Sequence, residues 1–157
     1  MKPLVIYHAS CADGFAAAFA AWLKLGDEAI YCPRQYGQTD PLPDYEGRET
    51  YIFDFSFPRE DMAAIFAYAK RVTWLDHHKT AFEMWCGKYE KGERVVQSNG
   101  RDDVILDDNK SGAILAWAYF HPGTEVPMLF RHIDDRDRWI FAIPGSKEVN
   151  AALWSLA

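Results

Sequence analysis

The chain has 157 residues, of which 49% are hydrophobic and 25% are charged, a composition typical of one soluble globular domain. Its formal net charge of −6 argues against electrostatic wrapping of long duplex DNA. No segment approaches the length of a membrane-spanning helix, and the three cysteines show no zinc-type pair spacing. We therefore expect a cytoplasmic protein with reduced thiols and no membrane partner.

Strand-like and helix-like segments alternate along the chain. In chain order, the patterns predict a strand at 3–7, a helix at 13–25, a strand at 28–32, a loop at 33–47, a strand at 50–53, a helix at 59–70, a strand at 72–75, a helix at 80–86, strands at 94–97 and 104–106, and helices at 111–120, 127–133 and 147–156. This alternation predicts an α/β fold, in which an open, mostly parallel sheet carries helices on both faces.

The most distinctive polar residues are Asp76, His77 and His78, which directly follow an apolar run rich in β-forming residues. A core gains nothing from three such residues in a row, because buried polar groups are costly unless they are paired. In open α/β sheets, ligands bind outside the carboxyl ends of the strands. The triplet therefore indicates a functional site at a strand end.

Three further polar clusters occupy comparable positions. His8, Cys11 and Asp13 follow the first strand, Asp54 follows the third strand, and a charged segment spans residues 132–139. Each has an ordinary explanation when taken alone, such as capping of a helix or a turn. Together, histidines and carboxylates at one sheet edge suit two divalent ions such as Mn²⁺ or Mg²⁺ better than a cysteine-rich zinc site. This set predicts metal-dependent hydrolysis of a phosphate ester or anhydride.

In this order, the motifs resemble those of the DHH phosphoesterase superfamily, which includes RecJ-type exonucleases, nano-RNases and family II pyrophosphatases. The segment 8–14, with Cys-Ala-Asp-Gly at its end, resembles the first motif, and Asp54 the second. The triplet resembles the third, and the segment 134–139 the fourth, in the form common among oligoribonuclease-like members. The Ser-Gly-Ala sequence at 111–113 matches a further element. The resemblance implies a two-metal phosphohydrolase or phosphodiesterase that acts on short oligonucleotides or nucleotide phosphoesters.

The resemblance also implies a role for each matching residue. Asp54 would bridge the two ions, and His77 would complete the second site together with Asp135, for which Asp137 is the rival. The full set of implied metal ligands is His8, Cys11, Asp13, Asp54, His77, Asp135 and Asp137. His78 would contact the phosphate or assist the leaving group, Asp76 would orient an imidazole, and Arg136 and Ser111 would contact the substrate. Mn²⁺ is the expected ion, with Mg²⁺, Co²⁺ or Zn²⁺ as alternatives.

Cys11 departs from the family pattern, because it stands where the first of two aspartates is usual. If the thiol coordinates a metal, the preference shifts toward softer ions such as Zn²⁺, Fe²⁺ or Co²⁺. If it does not coordinate, water fills that position. The sequence leaves both alternatives open.

A second departure is that the C-terminal substrate-binding domain of the family does not follow, so residues 1–157 match the catalytic domain alone. Either this domain works by itself on a small phosphorylated substrate or a short single-stranded oligonucleotide, or a second subunit, such as another copy of the chain in a homo-oligomer, completes the cleft. The alternative function is therefore a metal- or nucleotide-binding module that acts with a partner subunit without turnover.

Overall fold

The computed structural model describes residues 1–155, and within them it contains six strands and six α-helices. The strands are β1 (Leu4–His8), β2 (Ile30–Arg34), β3 (Glu49–Phe53), β4 (Arg71–Asp76), β5 (Arg94–Ser98) and β6 (Asp103–Asp107). The helices are α1 (Ala12–Leu25), α2 (Arg59–Tyr68), α3 (Lys79–Cys86), α4 (Gly112–Phe120), α5 (Met128–Asp137) and α6 (Ser146–Ser155), and a 3₁₀ turn (Gly26–Glu28) follows α1.

The strands form one sheet in the order β2-β1-β3-β4-β6-β5. Only the edge pair β5–β6 is antiparallel, and the other four pairs are parallel. The predicted α/β fold with an open, mostly parallel sheet is therefore confirmed. Because parallel strands end at the same edge of a sheet, the carboxyl ends of β2, β1, β3 and β4 lie side by side.

Helices cover both faces of this sheet. Successive side chains of a strand point to opposite faces, and apolar side chains on each face pack against the helices there. Ile6, Ile52 and Trp74 are in register on one face and pack under α2 and α3. Phe53 and Leu75 face the other way and pack against α1, α4 and α5. The alanines of α1 are buried on this second face, and their small size lets the helix lie close to α4.

The predicted elements differ from the observed ones mainly at their ends. The largest difference is in α5, which the sequence places at 127–133 and which continues to Asp137. The strand predicted at 28–32 is β2 (Ile30–Arg34), because the 3₁₀ turn occupies the preceding residues. The last helix is observed over Ser146–Ser155, and Leu156, which the prediction included, lies outside the described residues.

None of the helices within residues 1–155 combines the length and the apolar character that crossing a membrane requires.

Candidate metal centre

Asp54 lies at the centre of a polar cluster at the carboxyl edge of the sheet. It follows β3 directly, its side chain is buried, and its amide donates a hydrogen bond to the carbonyl oxygen of Leu75 over 3.0 Å. Its φ of +55° lies in the left-handed region, which aspartate tolerates better than most residues. Strained backbone of this kind costs on the order of 1–3 kcal/mol and tends to occur at functional sites.

The two carboxylate oxygens of Asp54 face different sets of side chains. Oδ1 lies 2.8 Å from His77 Nε2 and 3.8 Å from His78 Nε2. Oδ2 lies 3.7 Å from His8 Nδ1 and 3.6 Å from Cys11 Sγ. A single carboxylate thus stands between two groups of potential metal ligands, which is the position that a bridging ligand requires.

His77 extends one of these groups to two further carboxylates. Its Nε2 atom lies 3.2 Å from Asp13 Oδ2 and 3.7 Å from Asp137 Oδ2, in addition to its short contact with Asp54. One ring nitrogen carries at most one proton to donate, so the three carboxylates converge on a single donor. A divalent cation would neutralise such a set far better than one N–H group.

The ionisation of these groups reflects the crowding of negative charge. Burial and the neighbouring charge of Asp54 raise the pKa of Asp13 to about 7, and burial also raises the pKa of Asp137. Burial opposes the charged form of Asp54, but the hydrogen bond from His77 and the neighbouring imidazole of His8 hold its pKa below the usual value. Burial likewise opposes the charged form of His77, yet its bonds to Asp13 and Asp54 raise its pKa well above the usual value. Protons on these side chains therefore offset negative charge that a bound metal ion could offset instead.

Asp13 is held in place by the first turn of α4. Its Oδ2 atom accepts a hydrogen bond from the Gly112 amide over 2.9 Å, and its Oδ1 atom accepts one from the Ala113 amide over 2.7 Å. The positive end of the helix dipole favours a carboxylate at this point. The predicted Ser-Gly-Ala element thus supports the cluster through its backbone.

Two glycines allow the surrounding elements to approach the cluster closely. A Cβ atom on Gly112 would lie 2.8 Å from the Cβ atom of Asp54 and 3.2 Å from Asp13 Oδ2. A Cβ atom on Gly14 would overlap the carbonyl oxygen of His8, against which the start of α1 packs. Both contacts are closer than carbon atoms tolerate, so each position requires glycine for steric reasons.

Asp76 organises the two histidines that follow it. Its Oδ1 atom accepts hydrogen bonds from the amides of His77 and His78, over 2.8 and 3.3 Å, and lies 2.7 Å from His78 Nδ1. Burial opposes the charged form of His78, but the bond to Asp76 raises its pKa. The His78 side chain is 36% exposed, compared with 13% for His77. His78 is therefore oriented by Asp76 and faces the solvent-accessible side of the cluster.

Asp135 is not part of the cluster, and the expectation that it completes the second group with His77 is wrong. Its Oδ1 atom accepts a hydrogen bond from the Ala142 amide over 2.8 Å, and its Oδ2 atom accepts bonds from the Ile143 amide and from Ser146 Oγ over 2.9 and 2.6 Å. Desolvation acts to raise the pKa of Asp135, but these hydrogen bonds hold the pKa below its usual value. Asp135 therefore fixes the loop between α5 and α6, and Asp137 is the carboxylate that reaches His77.

Ser111 does not have the surroundings expected of a substrate contact. It is fully buried, its Oγ atom accepts a hydrogen bond from the Ile114 amide over 3.4 Å, and its amide donates to Asp134 Oδ1 over 3.0 Å. Ser111 is thus the buried N-cap of α4, and its contact with substrate stays a prediction. Arg136 is partly exposed, and within residues 1–155 its guanidinium has no ion pair or hydrogen bond, so its substrate role stays a prediction.

Tyr36 lies over the cluster, although the sequence predicted only that it belongs to a loop at 33–47. Its ring meets those of His8 and His78 edge-on, with centroids 5.3 and 6.2 Å apart, and packs against Phe55 at 4.5 Å. Burial raises the pKa of Tyr36 above its usual value. The available signal was its place just after β2, whose carboxyl end lies at the same sheet edge.

The chemistry of the donor set fits divalent cations. Residues 1–155 contain three groups whose potential ligand atoms lie within 4.8 Å of one another. They are Asp54 with Asp76, His77 and His78, then His8 with Cys11 and Asp54, and finally Asp13 with His77 and Asp137. In this part of the chain, His8 Nδ1 and Asp76 Oδ2 are buried without a hydrogen-bond partner, which is consistent with atoms that bind a ligand. Burial and the charge of Asp54 raise the pKa of Cys11 to about 12, so its thiol is protonated unless a cation displaces the proton.

Comparison with known proteins finds a similar protein to which no activity is assigned. No family profile and no solved structure matches the chain. An uncharacterized protein of Acanthamoeba polyphaga mimivirus is 30% identical over an alignment of 161 positions, which covers 92% of this chain. The chain spans 35% of the length of that viral protein.

Proposed function

We propose that the protein is a metal-dependent phosphohydrolase or phosphodiesterase of the DHH type that uses two divalent ions. The observation that carries the proposal is the position of Asp54, whose two oxygens face separate groups of potential ligands. The four motifs that resemble the superfamily in sequence also supply these groups. Mn²⁺ is the proposed ion, with Mg²⁺, Co²⁺ and Zn²⁺ as alternatives.

The chain offers a separate set of donors for each ion. His8 and Cys11 would hold one ion together with Asp54, and the second ion would be held by Asp54 with the three residues Asp13, His77 and Asp137. A pair of divalent ions in such a site activates a water molecule and stabilises the entering and leaving oxygens of a phosphoryl transfer.

His78 is the residue best arranged to act on the substrate directly. Its Nδ1 atom is bonded to Asp76, which fixes the ring, and its Nε2 atom is 3.8 Å from the nearest oxygen of Asp54. Its raised pKa favours the protonated ring, which could donate a proton to a phosphate oxygen or a leaving group. We assign His78 as the acid and Asp76 as the residue that positions it.

The proposed substrates are short single-stranded oligonucleotides or nucleotide phosphoesters. The net charge of −6 disfavours long duplex DNA, whose binding depends on many cationic contacts to phosphate. A small phosphorylated substrate needs only the proposed ions and His78 to offset its charge. The proposed location of this activity is the cytoplasm, where the three thiols stay reduced.

Hydrolysis of a short oligoribonucleotide, followed by chromatography with added Mn²⁺, tests the proposal. The wild type should release mononucleotides, and Asp54→Asn should lose this activity together with Mn²⁺ binding measured by calorimetry. Asp44→Asn is the matched control, because this carboxylate is 75% exposed in a surface loop. The proposal fails if the wild type yields no product with any of the four metals while calorimetry shows its sites to be filled.

A metal- or nucleotide-binding module that acts with a partner subunit is the second candidate. The raised pKa of Cys11 favours it, because a protonated thiol is a weak metal ligand. This candidate predicts Mn²⁺-dependent thermal stabilisation without product, and His78→Ala would then leave the function intact.

A further inference from the structure

An apolar groove with a volume of about 470 Å³ opens directly beside the candidate metal centre. The loop from His8 to Ala12 forms one end, and both His8 and Cys11 line the groove as well as the metal cluster. The remainder is lined chiefly by apolar side chains of α1, α5 and α6, among them Phe15, Phe19, Leu129 and Trp154. The groove and the cluster therefore share His8 and Cys11.

The wall contributed by α1 presents aromatic rings to solvent. Phe15 is 63% exposed and Phe19 is 37% exposed, and their spacing of four residues puts them on one face of the helix. Trp22 continues this face, with its ring stacked on Phe19 at 6.0 Å between centroids and an interplanar angle of 15°. Exposed apolar surface of this extent commonly marks a ligand or partner site.

We propose, building on the proposed function, that this groove holds the bases next to the phosphate at the metal centre, with Phe15 and Phe19 as stacking platforms. The volume is that of a typical small-molecule pocket, and its opening beside His8 and Cys11 suits a ligand that joins a ring to a phosphate. Stacking on aromatic side chains is tolerant of base identity, because every base has a π face. The apolar walls beyond the loop offer few groups that could read base edges, so the groove favours single-stranded oligonucleotides without strong sequence preference.

The charge of the chain limits how an oligonucleotide can bind. With a net charge of −6, the chain would attract phosphates chiefly at the proposed ions and His78, so base stacking would supply the remaining affinity. Binding should therefore depend only weakly on salt concentration, unlike the binding of proteins that neutralise many phosphates.

The test is the affinity of the full chain, with Mn²⁺ present, for a phosphorothioate-linked trinucleotide and for its abasic analogue, measured by isothermal titration calorimetry. The trinucleotide should bind the wild type about tenfold or more tightly than the abasic analogue. Phe15→Ala should remove most of this difference, Phe15→Trp should keep it, and Phe15→Leu should lose it despite its similar apolar area. Tyr68→Ala, which removes a ring that is 64% exposed on α2, is the control and should bind like the wild type.

Two results would overturn the inference. The first is equal affinity of the wild type for the base-bearing and abasic ligands. The second is unchanged trinucleotide binding by Phe15→Ala together with conversion of a dimer to a monomer in light scattering, which would assign the groove to a second copy of the chain. Neither readout needs turnover. Base-dependent binding by an inactive protein would contradict the proposed function alone, and hydrolysis without base-dependent binding would contradict this inference alone.

Discussion

Replacing Gly112 by alanine disturbs the candidate metal centre without removing any potential ligand. The new Cβ atom would lie 2.8 Å from Asp54 Cβ and 3.2 Å from Asp54 Cγ and from Asp13 Oδ2. Non-bonded carbon atoms prefer a separation of about 3.5–4.0 Å, so α4 and the Asp54 segment must move apart by roughly 0.7–1.2 Å. Asp54 cannot easily yield, because its backbone is held at the end of β3 and its carboxylate contacts His77.

The expected effects follow from this displacement. Overpacking of a buried contact costs about 1–3 kcal/mol, and the better helix propensity of alanine offsets up to about 1 kcal/mol of that. A misplacement of about 1 Å at a catalytic site can reduce the rate on the order of 10²-fold. Gly112→Ala should therefore lower the free energy of unfolding by about 1–2 kcal/mol, weaken Mn²⁺ binding at least about tenfold and reduce hydrolysis about 10²-fold.

Calorimetric Mn²⁺ titration and urea unfolding measure these effects, with Gly87→Ala as the matched control. Gly87 ends α3 with a φ of +80°, and nothing lies within 4 Å of a Cβ atom added there. Alanine at this position should cost about 1–2 kcal/mol through backbone strain alone, with Mn²⁺ affinity unchanged. Wild-type Mn²⁺ affinity and activity in Gly112→Ala would refute the reasoning.

Three further predictions test individual residues of the site. Asp137→Asn should weaken Mn²⁺ binding in calorimetry with little change in Tm. Asp135→Asn should instead lower Tm, because the Asp135 carboxylate accepts three hydrogen bonds from residues that follow α5. The opposite pattern would contradict the assignment of Asp137 as the metal ligand. His78→Ala should reduce Mn²⁺-dependent hydrolysis by about 10²–10⁴-fold and retain Mn²⁺ binding, so an equal loss of binding would make His78 a ligand instead. Mn²⁺ affinity should rise as the pH increases through about 7, because Asp13 must lose its proton on binding. The metal-free protein should become less stable as the pH rises from 3.8 to about 7, since over this window folded Asp13 holds a proton that the unfolded chain has released. Affinity that does not vary with pH would contradict the proposed role of Asp13.

The sheet edge and most of the cluster could be predicted from the sequence because their signals are local. Short apolar runs of β-forming residues mark β1, β3 and β4, and the polar residues that follow each run must lie at the carboxyl ends of these strands. The alternation of strands and helices then makes the strands parallel and brings the ends together. Asp54, His77 and His8 are therefore neighbours for reasons that the sequence contains.

The sequence could not distinguish Asp135 from Asp137 as the metal ligand, because the predicted helix ends at Ile133. In the observed α5, Phe130, Ile133 and Asp137 follow the spacing of one helix face, so Asp137 points to the same side as the apolar residues Phe130 and Ile133. Asp135 lies about 200° around the helix from Ile133. Continuing the predicted helix by one turn beyond Ile133 would have placed Asp137, and not Asp135, on the face of Phe130 and Ile133.

Contacts between distant segments account for the other differences. The burial of Ser111 depends on Asp134 of α5, and the place of Tyr36 over His8 and His78 depends on the path of the loop after β2. Neither relation produces a periodic or local pattern in the sequence. Residues at such positions become visible only when the tertiary structure is known.

Anomalous scattering from a crystal grown with Mn²⁺ tests most directly whether Asp54 bridges two metal ions. We expect two peaks roughly 3.5–4 Å apart, one beside His8 and Cys11 and one beside Asp13 and Asp137, with a carboxylate oxygen of Asp54 on each. A single peak, or two peaks of which only one contacts Asp54, would contradict the bridging role of Asp54.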